Sequence, residues 1–133
     1  MAPEDDDDLD DELEDEEYDE ERAEFAVGEG VKEERISVDP GIGFGKTIDH
    51  NLELLDRLQE IVAIGFPVVI GTSRKSFLGR LTGRQDPHDR VAATVATTVL
   101  ALERGASVFR VHDVAPTKDA LVVATATLRR HGA

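Results

Sequence analysis

Apolar and polar positions alternate between two kinds of run along the chain. Arg35-Ile36-Ser37-Val38 is a short apolar-alternating stretch that reads as a strand, and a glycine-rich segment follows it. From Asp49, which is suited to cap a helix, Leu52, Leu55, Leu58, Ile61 and Val62 fall on one helical face, and Gly65 stops the run. Pro67-Val68-Val69-Ile70 is apolar without alternation, as a parallel strand covered on both faces would be. A loop over residues 71–79 follows, with a helical turn expected at 77–81; Gly83, Asp86 and Pro87 mark another loop. Residues 91–104 form a predicted helix of Ala, Thr, Val and Leu whose small side chains permit close packing against a sheet or a second subunit. A third strand is predicted over 107–114, and a last helix opens at Pro116 or Thr117 and runs through Leu128. The three strands begin about one βα unit apart, so the pattern predicts successive right-handed βαβ units on a parallel sheet.

Charge alters this picture only at the N-terminus. The formal net charge is −14, but residues 1–24 hold 16 of the 29 acidic side chains and a single base, Arg22. The remainder carries 13 acids and 14 bases and is close to neutral. Two regions are therefore expected: an acidic low-complexity segment, 1–24, and a folded region, 25–133. A block of like charge with few apolar residues is expected to be solvated and disordered. Poor helix is the alternative, because Leu9, Leu13, Tyr18 and Phe25 have loosely helical spacing; a tail for a basic partner is another. Gly28 and Gly30 would end any such helix.

Composition removes several classes. There is no cysteine, so disulfides and thiolate metal sites are excluded. His50, His88, His112 and His131 lack the helical pair spacing of a zinc site. No apolar run approaches the ~20 residues of a membrane span, and the start is acidic where a secretory signal is basic. A cytoplasmic location without membrane or nucleic-acid partners is the expectation. The 11 arginines favour anion recognition at particular sites over a basic nucleic-acid surface.

The chemistry concentrates where strands end. In Asp39-Pro40-Gly41-Ile42-Gly43-Phe44-Gly45-Lys46-Thr47, glycines at alternate positions let the backbone turn and approach a ligand. The ending resembles a nucleotide P-loop, but the glycine required five positions before Gly45 is Pro40. Lys46 and Thr47 then read as loop-fixing or solvent-facing residues, and His50 as a helix-start or orienting residue. Asp39, Lys75 and Arg110 fall at the ends of the three predicted strands, at intervals of 36 and 35 residues. A βα barrel sets equivalent strand ends side by side, so these groups would converge. On the third strand Val108, Arg110 and His112 would share the inner face, with Phe109 and Val111 opposite. Arg110 and His112 there would serve an anion such as phosphate; alternatively, Arg110 would pair with Asp113 or Asp39. Lys75 reads as a site cation in a donor-rich strand-to-helix junction, Arg74 as a structural or rim residue, and His88 and His131 as surface.

Together, residues 39–46, the Ser73-Arg74-Lys75-Ser76-Phe77-Leu78-Gly79 run within 71–79, and Arg110-Val111-His112-Asp113-Val114 resemble the dihydropteroate synthase family of pterin-binding barrels. The resemblance covers about residues 31–133 and implies an α/β fold: the C-terminal three βα units of a (β/α)8 TIM barrel. It implies condensation of 6-hydroxymethyl-7,8-dihydropterin diphosphate with para-aminobenzoate to 7,8-dihydropteroate, releasing diphosphate. By the same resemblance Asp39, Phe44, Gly71, Lys75 and Arg110 meet the pterin, Arg110 and His112 the diphosphate, and Ser76 the aminobenzoate. Magnesium would act as cofactor through the substrate diphosphate and residues outside this chain. The family's metal-contacting Asn, mobile-loop Arg and deeper Asp and Asn have no counterpart here. The expectation is a truncated enzyme, weakly stable and inactive alone. It would form a homodimer, or be completed by a missing N-terminal half. A non-catalytic pterin- or diphosphate-binding or interaction module is the alternative.

Overall fold

The computed structural model describes residues 14–132. Six helices, α1 (Glu14–Gly28), α2 (Ile48–Asp56), α3 (Leu58–Val62), α4 (Ser76–Thr82), α5 (Val91–Glu103) and α6 (Val114–Gly132), surround two short parallel strands, β1 (Val69–Ile70) and β2 (Val108–Phe109). The molecule is α-rich α/β.

β1 lies centrally. Val69 pairs with Val108 and Ile70 with Phe109, and on the other side Val38 bridges Val68, again in parallel. The ladder continues beyond the assigned strands, with Arg110 N–H donating to the Ile70 carbonyl at 2.9 Å and Val69 N–H to the Val38 carbonyl at 2.8 Å. Three chain segments therefore run in one direction, and the residues after each one emerge at the same end.

The core explains the arrangement. Leu54, Leu58, Ile61, Val68 and Ile70 are almost completely enclosed, with Phe77, Leu78 and Ala101 beside them. Each such side chain contributes roughly 1.5–3 kcal/mol by leaving water. Buried residues of α2, α3, α4 and α5 thus share one core with Val68 and Ile70, while α6 packs along α5.

Several sequence expectations need correction. The strand expected over 35–38 is a 3-10 turn, Glu33–Arg35, followed by a single bridge at Val38. The strand expected over 107–114 is only Val108–Phe109, and α6 begins already at Val114. The helix after the glycine loop breaks into α2 and α3 at Arg57, where the backbone leaves helical geometry (φ −104°, ψ 22°). Its cap is Thr47 rather than Asp49, the Thr47 hydroxyl accepting from His50 N–H at 3.0 Å. Leu52 points to solvent, and Leu54 takes its place in the core beside Leu58 and Ile61, at true helical spacing.

At the N-terminus, the disordered reading of the acidic segment does not hold for residues 14–24. They belong to α1, which runs across the boundary expected at residue 24, while the expectation for residues 1–13 lies outside the described residues. Tyr18 and Phe25 are not its packing stripe, since both are exposed; Ala23 is buried instead, where α1 meets α3. The last helix exposes Val114, Val122 and Val123. An apolar groove of about 590 Å³ lies between α6 and the Phe109–Val111 side of the sheet.

Candidate functional site

The glycine loop is built around Asp39. One carboxylate oxygen accepts from Gly41 N–H at 2.9 Å, which fixes the turn, and the other accepts from Arg110 Nη2 at 3.2 Å. Gly41, Gly43 and Gly45 all have positive φ (74°, 94° and 64°), a region that disfavours any side chain. Gly43 has a second reason to be glycine: a Cβ there would stand 2.9 Å from Cδ of Lys75. Gly43 N–H donates to Oδ1 of Asn51 at 2.7 Å, and Asn51 is 1% exposed. Lys46 folds back on its own loop, donating to the Gly41 carbonyl at 3.1 Å.

Lys75 and Phe44 meet across this loop. The Lys75 ammonium lies 3.7 Å from the centroid of the Phe44 ring, a cation–π contact, while the ring remains largely exposed. Arg110 lies over Gly71, where an added Cβ would stand 2.9 Å from its Cζ, so the guanidinium needs the bare backbone of Gly71 beneath it. The anion-free alternative for Arg110 is present as well: it pairs with Asp39. Both side chains are substantially exposed (59% and 38%). Such a pair is worth about 1 kcal/mol or less, so an incoming anion can replace it at small cost.

The β1–α4 loop is tied to the β2–α6 loop by a second set of bonds. The Ser73 hydroxyl accepts from His112 N–H at 3.0 Å and lies 2.7 Å from His112 Nδ1. Arg74 grips both carboxylate oxygens of Asp113, at 2.9 and 3.2 Å. That grip holds the Asp113 carboxyl below the usual carboxylate range and keeps Arg74 more firmly protonated. Arg74 also has φ 60°, unusual for a residue with a side chain. Three partners stabilise this backbone: Asp113, the Thr94 hydroxyl accepting from Arg74 N–H at 3.0 Å, and Arg90 donating to the Arg74 carbonyl at 2.9 Å. Behind the loop, Thr72 and Thr97 share a buried hydroxyl contact of 2.7 Å.

Asp39, Gly71 and Arg110 are therefore in direct contact, and Lys75 joins the same glycine loop through Gly43 and Phe44. His112 is exposed, but Ser73 aims it, not the strand alternation expected from the sequence, because the strand has ended before it. Ser76 stands exposed at the first position of α4 and lines a groove with Arg80, Arg84 and Arg90. Ser73, Asn51 and Thr94 were not singled out by sequence as supports, and Asp113, expected as a possible partner of Arg110, pairs with Arg74 instead. Asn51 had a signal: it sits at helical spacing with Leu54, Leu55 and Leu58 on the buried face. Among the described residues no group of three or more His, Asp or Glu side chains could hold a metal ion.

This arrangement defines a class. Residues 2–112 match the family of pterin binding enzymes, and the chain belongs to it. The match begins well before residue 31, so it includes the acidic segment that sequence reading set apart. Its relatives include dihydropteroate synthases: that of Neisseria meningitidis serogroup C is 46% identical over 101 residues, 75% of this chain and 36% of that protein. The Escherichia coli K12 dihydropteroate synthase is 42% identical over 99 residues, 74% of this chain and 35% of that protein. Among solved structures, the dihydropteroate synthase of Thermus thermophilus in complex with 4-aminobenzoate superposes with a TM-score of 0.81 at 45% identity, over 85% of this chain and 45% of that one. The Xanthomonas albilineans enzyme in complex with 7,8-dihydropteroate gives 0.84 at 45% identity, over 86% and 44%. The chain thus spans about a third of the length of the curated relatives it matches.

Proposed function

We propose that this chain carries one part of the substrate site of a dihydropteroate synthase, as the last three βα units of an eight-stranded barrel. The reaction joins the amine of para-aminobenzoate to the methylene carbon of 6-hydroxymethyl-7,8-dihydropterin diphosphate; the C–O bond breaks, diphosphate leaves with the bonding pair, and the amine nitrogen gives up one proton to solvent. The observation that carries this reading is the meeting of Asp39, Gly71 and Arg110 at one end of the parallel segments, with Lys75 against the same loop.

The residues have distinct tasks in this reading. Asp39 accepts from the pterin's ring N–H and amino group, each charged bond being worth about 1.5–3 kcal/mol. Lys75 donates to the ring acceptors, Phe44 and Gly71 line the pterin side, and Ser76 meets the aminobenzoate. Arg110 exchanges its exposed bond to Asp39 for the diphosphate and lies against the pterin face, with His112 as a further donor. Fixed charges thus stabilise a leaving group, and proton transfer is secondary. Magnesium would neutralise charge on the diphosphate, held through the diphosphate itself and residues outside this chain.

The share of relatives' length supports completion of the site by further βα units, with the exposed apolar edge along α6 as the place for them. The same share favours a second reading, a pterin- or diphosphate-binding module without turnover. A cytoplasmic location fits either, and no helix among the described residues is long and apolar enough to cross a membrane. Homodimerisation through the late helices is part of the first reading and is checked by solution mass. Calorimetric titration with inorganic diphosphate and with the pterin diphosphate tests the site: wild-type chain binds both, and Arg110→Ala and His112→Ala bind weakly. Unchanged affinity in both variants removes the site from either reading, and product formation by the chain alone decides between them.

A further inference from the structure

We propose that Ser73 is a positioning residue that holds the neutral His112 ring as the tautomer protonated on Nε2, so that the ring presents an N–H donor to an anion. The argument is a count of protons at one buried hydroxyl. Ser73 is 6% exposed, and its oxygen has two hydrogen-bond partners, the backbone N–H of His112 at 3.0 Å and Nδ1 of the same residue at 2.7 Å.

A backbone N–H only donates, so it takes a lone pair of the hydroxyl. The hydroxyl proton then requires an acceptor, and the ring nitrogen at 2.7 Å supplies one. A nitrogen that accepts carries no proton, and the proton of a neutral imidazole must be on the other nitrogen. The reverse assignment points two donors at Ser73 and leaves its own proton without an acceptor in a buried setting, an arrangement folded proteins avoid.

Both Asp113 oxygens are engaged by Arg74, and that grip also fixes the backbone on the C-terminal side of His112. The exposed ring therefore leaves Nε2–H turned from its anchor, two residues along from the exposed Arg110. A neutral donor beside a guanidinium adds recognition of anionic oxygens without a second positive charge to repel it. The link to diphosphate rests on the function proposed above; the tautomer does not.

The test uses the whole chain with 15N-labelled histidine, at a pH where imidazoles are neutral. Two-bond proton–nitrogen correlation spectra read the tautomer directly, and loss of a signal in His112→Gln assigns the ring. The expected wild-type spectrum shows an unprotonated Nδ1 that accepts a hydrogen bond. Ser73→Ala moves that resonance and admits the second tautomer, Ser73→Thr restores it, and unchanged His50 and His88 signals certify folding. Inorganic diphosphate affinity falls about three- to tenfold in Ser73→Ala, as expected for one lost orienting bond, and recovers in Ser73→Thr. A proton on Nδ1 in the wild type, or identical His112 resonances in Ser73→Ala, overturns the assignment. Should wild type show the expected tautomer yet bind no diphosphate, the anion-site reading falls and the tautomer assignment stands.

Discussion

Among the described residues, two ion pairs that join the loops after the parallel segments differ in build. Arg110 touches Asp39 through one bond of 3.2 Å between well exposed groups, whereas Arg74 holds both oxygens of Asp113 with side chains only 22% and 19% exposed. The first pair is the kind water and ions exchange readily. The second is a two-point planar grip, supported by Thr94 and Arg90, that fixes a left-handed backbone. In the proposed site the two arginines, in neighbouring loops, would divide the work: Arg110 would be available to a ligand, and Arg74 would hold the loops that carry Lys75 and His112.

That contrast can be broken by substitution. Arg110→Ala has the largest expected effect on binding, a loss of diphosphate affinity of roughly ten- to a hundredfold from its charged bonds, with a change of less than ~1 kcal/mol in unfolding free energy. Calorimetry and urea unfolding on the same variant read both quantities. Asp113→Asn reverses the pattern, lowering the urea midpoint clearly while reducing affinity less than Arg110→Ala does.

Acid sharpens the second half of the comparison. Asp113 has a carboxyl held below its ordinary value by Arg74, so its contribution to stability is present above the unfolded value of about 3.9. It is lost as pH falls through the lower folded value. Urea midpoints of wild type and Asp113→Asn are therefore expected to differ at neutral pH and to converge in acid; a constant gap would mean the carboxylate charge is not what the grip uses.

Thr47→Ala removes the α2 cap behind the glycine loop and is expected to cost about 1 kcal/mol, read by thermal or urea unfolding. Asp39→Asn is the smallest change in stability, below ~1 kcal/mol, because the exposed pair contributes little. A large destabilisation by Asp39→Asn would show that the exchangeable pair is structural after all.

The positions of Asp39, Lys75 and Arg110 were legible in the sequence because strand spacing repeats and charged residues follow each apolar run. The glycine loop was legible because Gly41, Gly43 and Gly45 have few other uses at alternate positions. The supports were not. Ser73 and Thr94 are ordinary small polar residues until folding brings them to His112 and Arg74, 39 and 20 residues away in sequence. Strand lengths were overestimated for a related reason: apolar residues such as Val111 continue the pattern after the ladder has ended. The break at Arg57 was hidden as well, since Leu54, Leu58 and Ile61 keep helical spacing across it. Acidity favoured disorder over the helical alternative for residues 14–24, yet they form helix, with Ala23 buried where α1 meets α3.

The most direct test of the central claim is an NMR titration of the chain with 6-hydroxymethyl-7,8-dihydropterin diphosphate. Saturable shifts concentrated at residues 39–46, 71–76 and 110–113 are the predicted result. Absence of binding, or shifts gathered on α6 and α1 with these three loops unmoved, would contradict it.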